Sequence, residues 1–129
     1  MRDVRAYRLG RIRRKQFERL VARVLDGLPA DIRALLDNVS VVVQDEPAAD
    51  QVSDPDETLF GLYEGVPRTE RGGDYSMTLP DKITIFRGPI ERACASPEEM
   101  AAEVRITVIH ELGHHLGLDE DRLTELGWQ

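Results

Sequence analysis

The sequence predicts the α+β fold class, with a small sheet of three to four strands packed against helices. Three observations predict it: apolar residues at helical spacing near the start, short β-branched segments in the middle, and a long apolar helix near the end. At 129 residues, with 41% hydrophobic and 32% charged residues, the chain has room for a single core. We therefore predict one domain over residues 1–129, which starts with a basic arm over residues 1–12.

The first elements of the chain are expected to be two helices. Six apolar residues recur at helical spacing: Phe17, Leu20, Val21, Val24, Leu25 and Leu28. They predict a first helix over residues 13–27. Gly27 and Pro29 end this helix, and a second, short helix is expected to start near Ala30.

The middle of the chain is expected to hold the strands and two loops. Three segments are rich in β-branched and aromatic residues over too few positions for a helix: residues 39–44, 58–63 and 82–86. Residues 45–57 are acidic and have no core pattern, so we expect a loop whose charges are solvated. Residues 68–75 contain a glycine pair and are expected to be a surface loop.

A long helix is predicted near the C-terminus. The segment Ser96-Pro97-Glu98-Glu99 is a capping box with proline at the first helical position, so the helix should begin there and extend to about Leu116. On a helical wheel, Arg105 interrupts the side opposite His110, but apolar residues cover much of that side: Ala101, Val104, Val108, Leu112 and Leu116. One flank extends this surface: Ile106, Ile109 and Gly113. Glu103 and Thr107 share the arc of His110, so we expect a largely buried helix whose polar strip opens on a cleft.

The polar strip carries the motif His110-Glu111-Leu112-Gly113-His114, which has the HExxH pattern. His110 and His114 are four residues apart, so their imidazoles project from one face of the helix. Glu111 is turned by about 100° from His110. It would therefore stand beside a metal ion, where the general base for an attacking water belongs.

A third metal ligand is expected just after the helix. Gly117 can adopt a positive φ and end the helix abruptly, which would return the chain toward His110. Glu120, three residues further on, then approaches the same metal. Asp119 and Asp121 flank it, and the sequence leaves both open as alternative ligands. Two histidines and one carboxylate with an open position form a recognised catalytic zinc set, so Zn²⁺ is the expected cofactor.

The remaining histidine and the single cysteine are expected to have structural roles. His115 points away from the ligand arc, so we expect it to be packed or at the surface. Cys94 cannot form a cysteine cage or an internal disulfide by itself, which fits a packed residue in the reducing cytoplasm. No apolar stretch approaches the ~20 residues of a membrane span, and the arginine-rich N-terminus lacks the apolar h-region expected of a secretory signal. We therefore expect a cytoplasmic protein without a membrane partner.

The charge of the chain is distributed unevenly. Residues 1–23 hold nine arginines and lysines against two acidic residues, although the whole chain has a net charge of −7. A basic arm can bind nucleic acid or anionic lipid. We favour a solvated terminus and helix face, because no aromatic platform accompanies the basic residues. Docking of the arm onto the acidic body of the same or another copy is a third interpretation.

The extended motif His110-Glu111-x-x-His114-x-x-Gly117-x-x-Glu120 is similar to the longer metzincin pattern, whose third ligand is usually histidine. Over about residues 13–128 the chain resembles the short bacterial zincin-like metallopeptidases called minimal metalloproteases. Two further segments carry the resemblance: residues 61–67 and 79–90. The resemblance implies a zincin-like fold, with a small mixed sheet packed against helices that include the HExxH helix. It implies these roles: zinc ligands His110 and His114, catalytic Glu111 and acidic third ligand Glu120. No methionine follows Glu120, so the chain lacks the Met-turn of the full metzincin pattern.

We predict a zinc metallopeptidase in which Glu111 activates metal-bound water to hydrolyse peptide bonds. Short peptides or unfolded proteins are the expected substrates, because so small a domain offers little surface for recognising large folded proteins. One alternative is a hydrolase of the same fold that acts on RNA held by the basic arm. Another is a non-catalytic binding or regulatory domain. The residue that stabilises the oxyanion stays open, with Tyr75 or a loop arginine as candidates.

Overall fold

The computed structural model describes residues 12–53, 58–65 and 80–128. The helices are α1 (Arg14–Asp26), α2 (Ala30–Leu35), α3 (Arg87–Ala93), α4 (Pro97–His115) and α5 (Glu120–Glu125). The strands are β1 (Val39–Gln44), β2 (Gly61–Glu64) and β3 (Asp81–Phe86), and single 3-10 turns cover Leu36–Asn38 and Ala49–Gln51. The predicted loop at residues 68–75, with Tyr75, lies outside the described residues, as do residues 1–11 of the predicted arm.

The three strands form one mixed sheet with β3 in the centre. β1 is parallel to β3, with Val39 opposite Asp81, and β2 is antiparallel to β3, with Tyr63 opposite Ile83. This arrangement confirms the predicted α+β class and its small mixed sheet. Both β1 and β2 are edge strands, so each has one side that no strand of the described residues covers.

Each predicted helix and strand is observed, and the largest difference in their bounds is at the start of β2. The predicted strand begins at Thr58, whereas β2 begins at Gly61 and extends to Glu64. Before β2, the carbonyl of Phe60 accepts the N–H of Phe86 at 2.9 Å. Phe60 therefore already makes a backbone hydrogen bond to β3, although β2 itself begins one residue later.

The hydrophobic core lies between the sheet and helices α1 and α4. The central strand contributes Ile83 and Ile85, which have no exposed surface. The two helices contribute buried apolar side chains: Phe17, Leu20, Val21, Met100, Val104, Val108, Ile109 and Leu112. Ile12, at the end of the predicted arm, is also buried in this core. The core therefore fixes helix α4 against the sheet, and α4 is the helix that carries the HExxH motif.

Helix α3 is absent from the sequence-based prediction. Gly88 and Pro89 lie in its first turn, and this pair is typical of a loop. Proline is nevertheless tolerated there, because the first N–H groups of a helix have no intrahelical partner. Packing therefore decides this element: Gly88, Pro89 and Ile90 are all buried.

Two acidic residues that follow β1 hold α3 in place. The Nε of Arg87 donates to Asp45 at 2.9 Å, and the guanidinium of Arg92 donates two hydrogen bonds to Glu46, each of 2.9 Å. These bonds hold the pKa of each of the two carboxyl groups below its usual range. The predicted loop therefore keeps solvated charges at Asp45 and Glu46, whose side chains are 49% and 53% exposed, but each carboxylate also binds an arginine distant in sequence.

Candidate active site

The sequence explains where helix α4 begins. The Oγ of Ser96 accepts the N–H of Glu99 at 3.1 Å, and Pro97 occupies the first helical position. The Glu99 carboxylate accepts the N–H of Ala95 at 3.3 Å, one residue before the cap. The helix has 19 residues and ends at His115, one residue before the predicted end.

No helix in the described part of the chain is long and apolar enough to cross a membrane.

One side of α4 is buried and another is open, but the open side does not coincide with the predicted polar strip, because Thr107 of that strip is only 6% exposed. Ile106 is 44% exposed, although the wheel assigned it to the apolar flank. Ile106 precedes His110 by one helical turn, so it shares the open side with that histidine. Leu116 is 45% exposed for a different reason, since the helix ends before it.

A tight turn ends α4 and reverses the chain. Gly117 has a φ of +78°, and its N–H donates to the carbonyl of His114 at 3.0 Å. The N–H of Leu118 donates to the carbonyl of Gly113 at 2.8 Å. These two bonds form a Schellman motif, in which glycine is preferred for its left-handed backbone. No atom lies within 4 Å of a Cβ built at Gly117, so the backbone angle rather than crowding requires glycine there.

The turn brings Glu120 to the motif. Asp119 is the N-cap of α5, and its Oδ1 accepts the N–H of Arg122 at 2.8 Å. This bond directs the Asp119 carboxylate to its own helix. Glu120, the first residue of α5, places its Oε2 3.5 Å from the Nε2 of His110. Glu120, which the offset from Gly117 favours as the third ligand, is therefore an acidic residue of α5 whose carboxylate lies beside a histidine of the motif.

One pair of the predicted metal ligands has a spacing that suits a zinc ion. Ligands at ~2.0–2.2 Å from a tetrahedral zinc are about 3.3–3.6 Å from one another. The separation of 3.5 Å between His110 Nε2 and Glu120 Oε2 lies in this range. The rings of His110 and His114 are 6.3 Å apart between centroids, and His114 is exposed. Within the described residues, no three His, Cys, Asp or Glu side chains are already gathered around one point. His110 and Glu120 are therefore close together, whereas the three predicted ligands are not gathered around one point.

The carboxylate of Glu111 lies against the edge of the sheet. Its Oε1 accepts the backbone N–H of Tyr63, in β2, at 3.0 Å. The strand can approach α4 this closely because Gly61 has no side chain, and a Cβ at that position would collide with the Cγ2 of Thr107. Since Thr107 and Glu111 are four residues apart, one row of α4 side chains faces β2.

A cluster of three side chains next to Glu111 is absent from the sequence-based prediction. The ring of Tyr63 stacks on His115, with centroids 3.9 Å apart and an interplanar angle of 13°. The phenol of Tyr63 donates to the Oδ2 of Asp81 at 2.8 Å, and this oxygen lies 3.7 Å from the Nε2 of His115. His115 thus has a packing role, as predicted. Its position four residues after Glu111 is the sequence signal that could have indicated a shared contact with β2.

Cys94 has the properties of a packing residue. It is half-buried and packs against the hydrophobic core. Burial raises the pKa of its thiol, and the nearby carboxylates of Glu103 and Glu99 raise it further. A protonated thiol is a poor nucleophile, so the environment of Cys94 agrees with the structural role expected for it.

Comparisons with known proteins agree with this fold. No curated protein matches the chain. A conserved hypothetical protein from Thermo thermophilus has a similar solved structure, with 24% sequence identity and a TM-score of 0.52. That match covers 80% of this chain and 92% of the other, and at this identity it shows a shared fold alone. A family model described as zincin-like metallopeptidase matches residues 36–128, which is most of the chain. The chain therefore belongs to the zincin-like metallopeptidase family.

Proposed function

We propose that this protein is a zinc-dependent metallopeptidase that hydrolyses peptide bonds, with Glu111 as its general base. The observation that carries the proposal is the return of the chain after α4, which places Glu120 Oε2 3.5 Å from His110 Nε2. A carboxylate brought beside an HExxH helix supports the two-histidine, one-carboxylate donor set that catalytic zinc sites use. Membership of the zincin-like metallopeptidase family supports the same class of reaction.

Three side chains would hold the metal: His110, His114 and Glu120. Three protein ligands leave one position open, as in catalytic zinc sites, whereas structural sites are closed by four. When bound, zinc supplies a Lewis acid that acidifies water and polarises the scissile carbonyl. The chain contributes two imidazoles on one face of α4 and a carboxylate from the first turn of α5.

Glu111 is the group that moves the proton. Its carboxylate accepts a proton from the attacking water and later delivers a proton to the leaving nitrogen. Its Oε1 is held at 3.0 Å by the N–H of Tyr63, so the carboxylate is oriented before substrate binds. An oriented base contributes to rate because proton transfer requires reach as well as basicity.

We propose that an extended peptide binds along the outer side of β2. This strand is at the edge of the sheet and borders α4, and the backbone of an edge strand can pair with an added chain. Alternate residues of an edge strand direct their backbone groups outward. Tyr63 is one of these, but Glu111 already accepts its N–H, so that group is not offered to the peptide. Gly61 faces the same way, and its backbone groups are the ones proposed to pair with the peptide. Short peptides and unfolded proteins present the extended backbone that such binding requires.

The decisive test compares the parent chain with Glu111→Gln. Glutamine keeps the size and the hydrogen-bond acceptor of glutamate but cannot act as a base at neutral pH. The variant should retain zinc and lose peptide hydrolysis by about 10²–10⁴-fold. The measurements are zinc content after purification without chelators and cleavage of a peptide library. Glu98→Gln, at an exposed glutamate in the first turn of the same helix, is the matched control and should behave like the parent.

Other outcomes of this experiment would reject parts of the proposal. Equal cleavage by Glu111→Gln and the parent would show that the assigned base is wrong. Zinc binding without cleavage of any peptide by the parent would reject the peptidase and favour an RNA hydrolase or a binding domain. The RNA alternative depends on the basic arm, most of which lies outside the described residues, so it stays a prediction.

A further inference from the structure

We infer that Tyr63 is a positioning residue that orients the general base, and that His115 and Asp81 hold Tyr63 in place. The inference rests on the proposed function, since it assigns Tyr63 to the base of that reaction. A glutamate side chain has several rotatable bonds, so its carboxylate needs an external partner to stay in one orientation. A base that is displaced by about 1 Å from its productive position can lose about 10²-fold in rate.

One partner of Glu111 comes from a distant part of the chain. The Tyr63 N–H that donates to Glu111 Oε1 belongs to a residue 48 positions earlier in the sequence. This N–H points away from β3, so the ladder between β2 and β3 does not fix it directly. The place of the donor therefore depends on how the end of β2 is held against α4.

The side chain of Tyr63 supplies that hold from two directions. Its ring stacks on His115 with centroids 3.9 Å apart, and its phenol donates to Asp81 Oδ2 at 2.8 Å. His115 follows Glu111 by four residues, so the two lie one turn apart on the same side of α4. Helix α4 thus contacts Tyr63 twice, and Asp81 fixes the same residue to the central strand. Together these contacts link the base to both the helix and the sheet.

His115 is the best position for a test. Its side chain is 42% exposed, so its replacement should not unfold the protein. His115→Ala removes the surface on which Tyr63 stacks, whereas His115→Phe keeps a planar ring there. Val42→Ala is the control, because it shortens a part-exposed side chain on the opposite edge strand.

The first experiment measures amide hydrogen exchange of Tyr63 in the zinc-loaded protein. The amide should be protected in the parent, and Glu111→Ala should speed its exchange about tenfold or more, because the acceptor is removed. His115→Ala should also speed exchange, His115→Phe should restore protection, and Val42→Ala should leave it unchanged. The same exchange rate in the parent and in Glu111→Ala would overturn the contact itself.

The second experiment measures peptide hydrolysis by the same variants. His115→Ala should lower kcat about 3- to 10-fold, the loss expected for one aromatic contact, with KM and zinc content unchanged. His115→Phe should return kcat to within about twofold of the parent value. An unchanged kcat in His115→Ala, or an effect confined to KM, would overturn the positioning role. A parent chain that cleaves no peptide would refute the proposed function, whereas the exchange experiment would still decide whether the contact exists.

Discussion

Helices α4 and α5 end in the same backbone turn, yet the two turns have different consequences. Gly117 after α4 has a φ of +78°, and Gly127 after α5 has a φ of +75°. Each glycine N–H donates to the carbonyl three residues before it, at 3.0 Å in both turns. The next N–H donates to the carbonyl five residues before it, at 2.8 Å in the first turn and 2.9 Å in the second. Local structure is therefore nearly identical in the two places.

The first turn positions a residue of the candidate site, whereas the second positions a residue of the hydrophobic core. The first turn returns the chain so that Glu120 lies 3.5 Å from His110. The second turn buries Trp128, which is 6% exposed and donates from its indole Nε1 to the Oδ2 of Asp31 at 3.1 Å. The same type of turn thus brings two candidate metal ligands together after α4 and packs a tryptophan into the hydrophobic core after α5. What a turn does depends on the surface to which it returns the chain.

The two turns are also in contact with each other. Gly113 and Leu123 occupy equivalent positions in the two turns. The carbonyl of each accepts the N–H of the residue five positions later. A Cβ built at Gly113 would lie 2.8 Å from the Cδ2 of Leu123, so α5 sits directly on α4. The seating of α5 therefore also determines where Glu120 is placed.

The largest expected effect tests the role of the first turn in metal binding. Glu120→Gln should weaken zinc binding by about 10²-fold or more. Loss of a residue that only hydrogen-bonds a metal ligand already costs about 10–100-fold in metal affinity, and loss of a ligand itself should cost more. Zinc titration against a competing chelator measures this change. Glu125→Gln is the matched control, since Glu125 is equally exposed in α5 and pairs with Arg122 at 2.9 Å. A larger loss in Asp119→Asn than in Glu120→Gln would assign the third ligand to Asp119.

An intermediate effect is expected where the two turns touch. Gly113→Ala should destabilise the protein by about 1–3 kcal/mol, because the added methyl group overlaps the buried side chain of Leu123. Urea unfolding measures the change in the free energy of unfolding. Gly113→Ala combined with Leu123→Ala should cost less than the sum of the two single changes, since the second removes the atoms that the first displaces. If the destabilisation of the double variant equals the sum of the two single effects, Gly113 and Leu123 do not contact each other across α4 and α5.

The smallest effect distinguishes the turns from each other. Alanine at Gly117 or Gly127 meets no atom within 4 Å, so its cost comes from the left-handed backbone alone, about 1–2 kcal/mol in each case. The two variants should therefore have similar unfolding free energies. Zinc affinity should fall in Gly117→Ala and stay unchanged in Gly127→Ala. An equal loss of zinc affinity in both variants would show that general destabilisation, and not the placement of Glu120, controls metal binding.

The local features of the site could be predicted from the sequence. The Ser96 cap, the pair of histidines four residues apart and the glycine turn are all encoded within a few neighbouring residues. Contacts between distant segments could not be predicted in the same way. Helix α3 depends on burial of Gly88 and Pro89, which read as a loop when packing is unknown.

The sequence by itself determined the order of the main helices and strands, the HExxH helix and the residue after which the chain turns back. These features follow from propensities, caps and spacing, which act over one or two helical turns. Tertiary structure alone decided that β2 lies beside α4, that Tyr63 donates to Glu111, and that Asp45 binds Arg87. Such contacts join residues more than 40 positions apart. They are set by the packing of complete elements, which no local pattern of residues encodes.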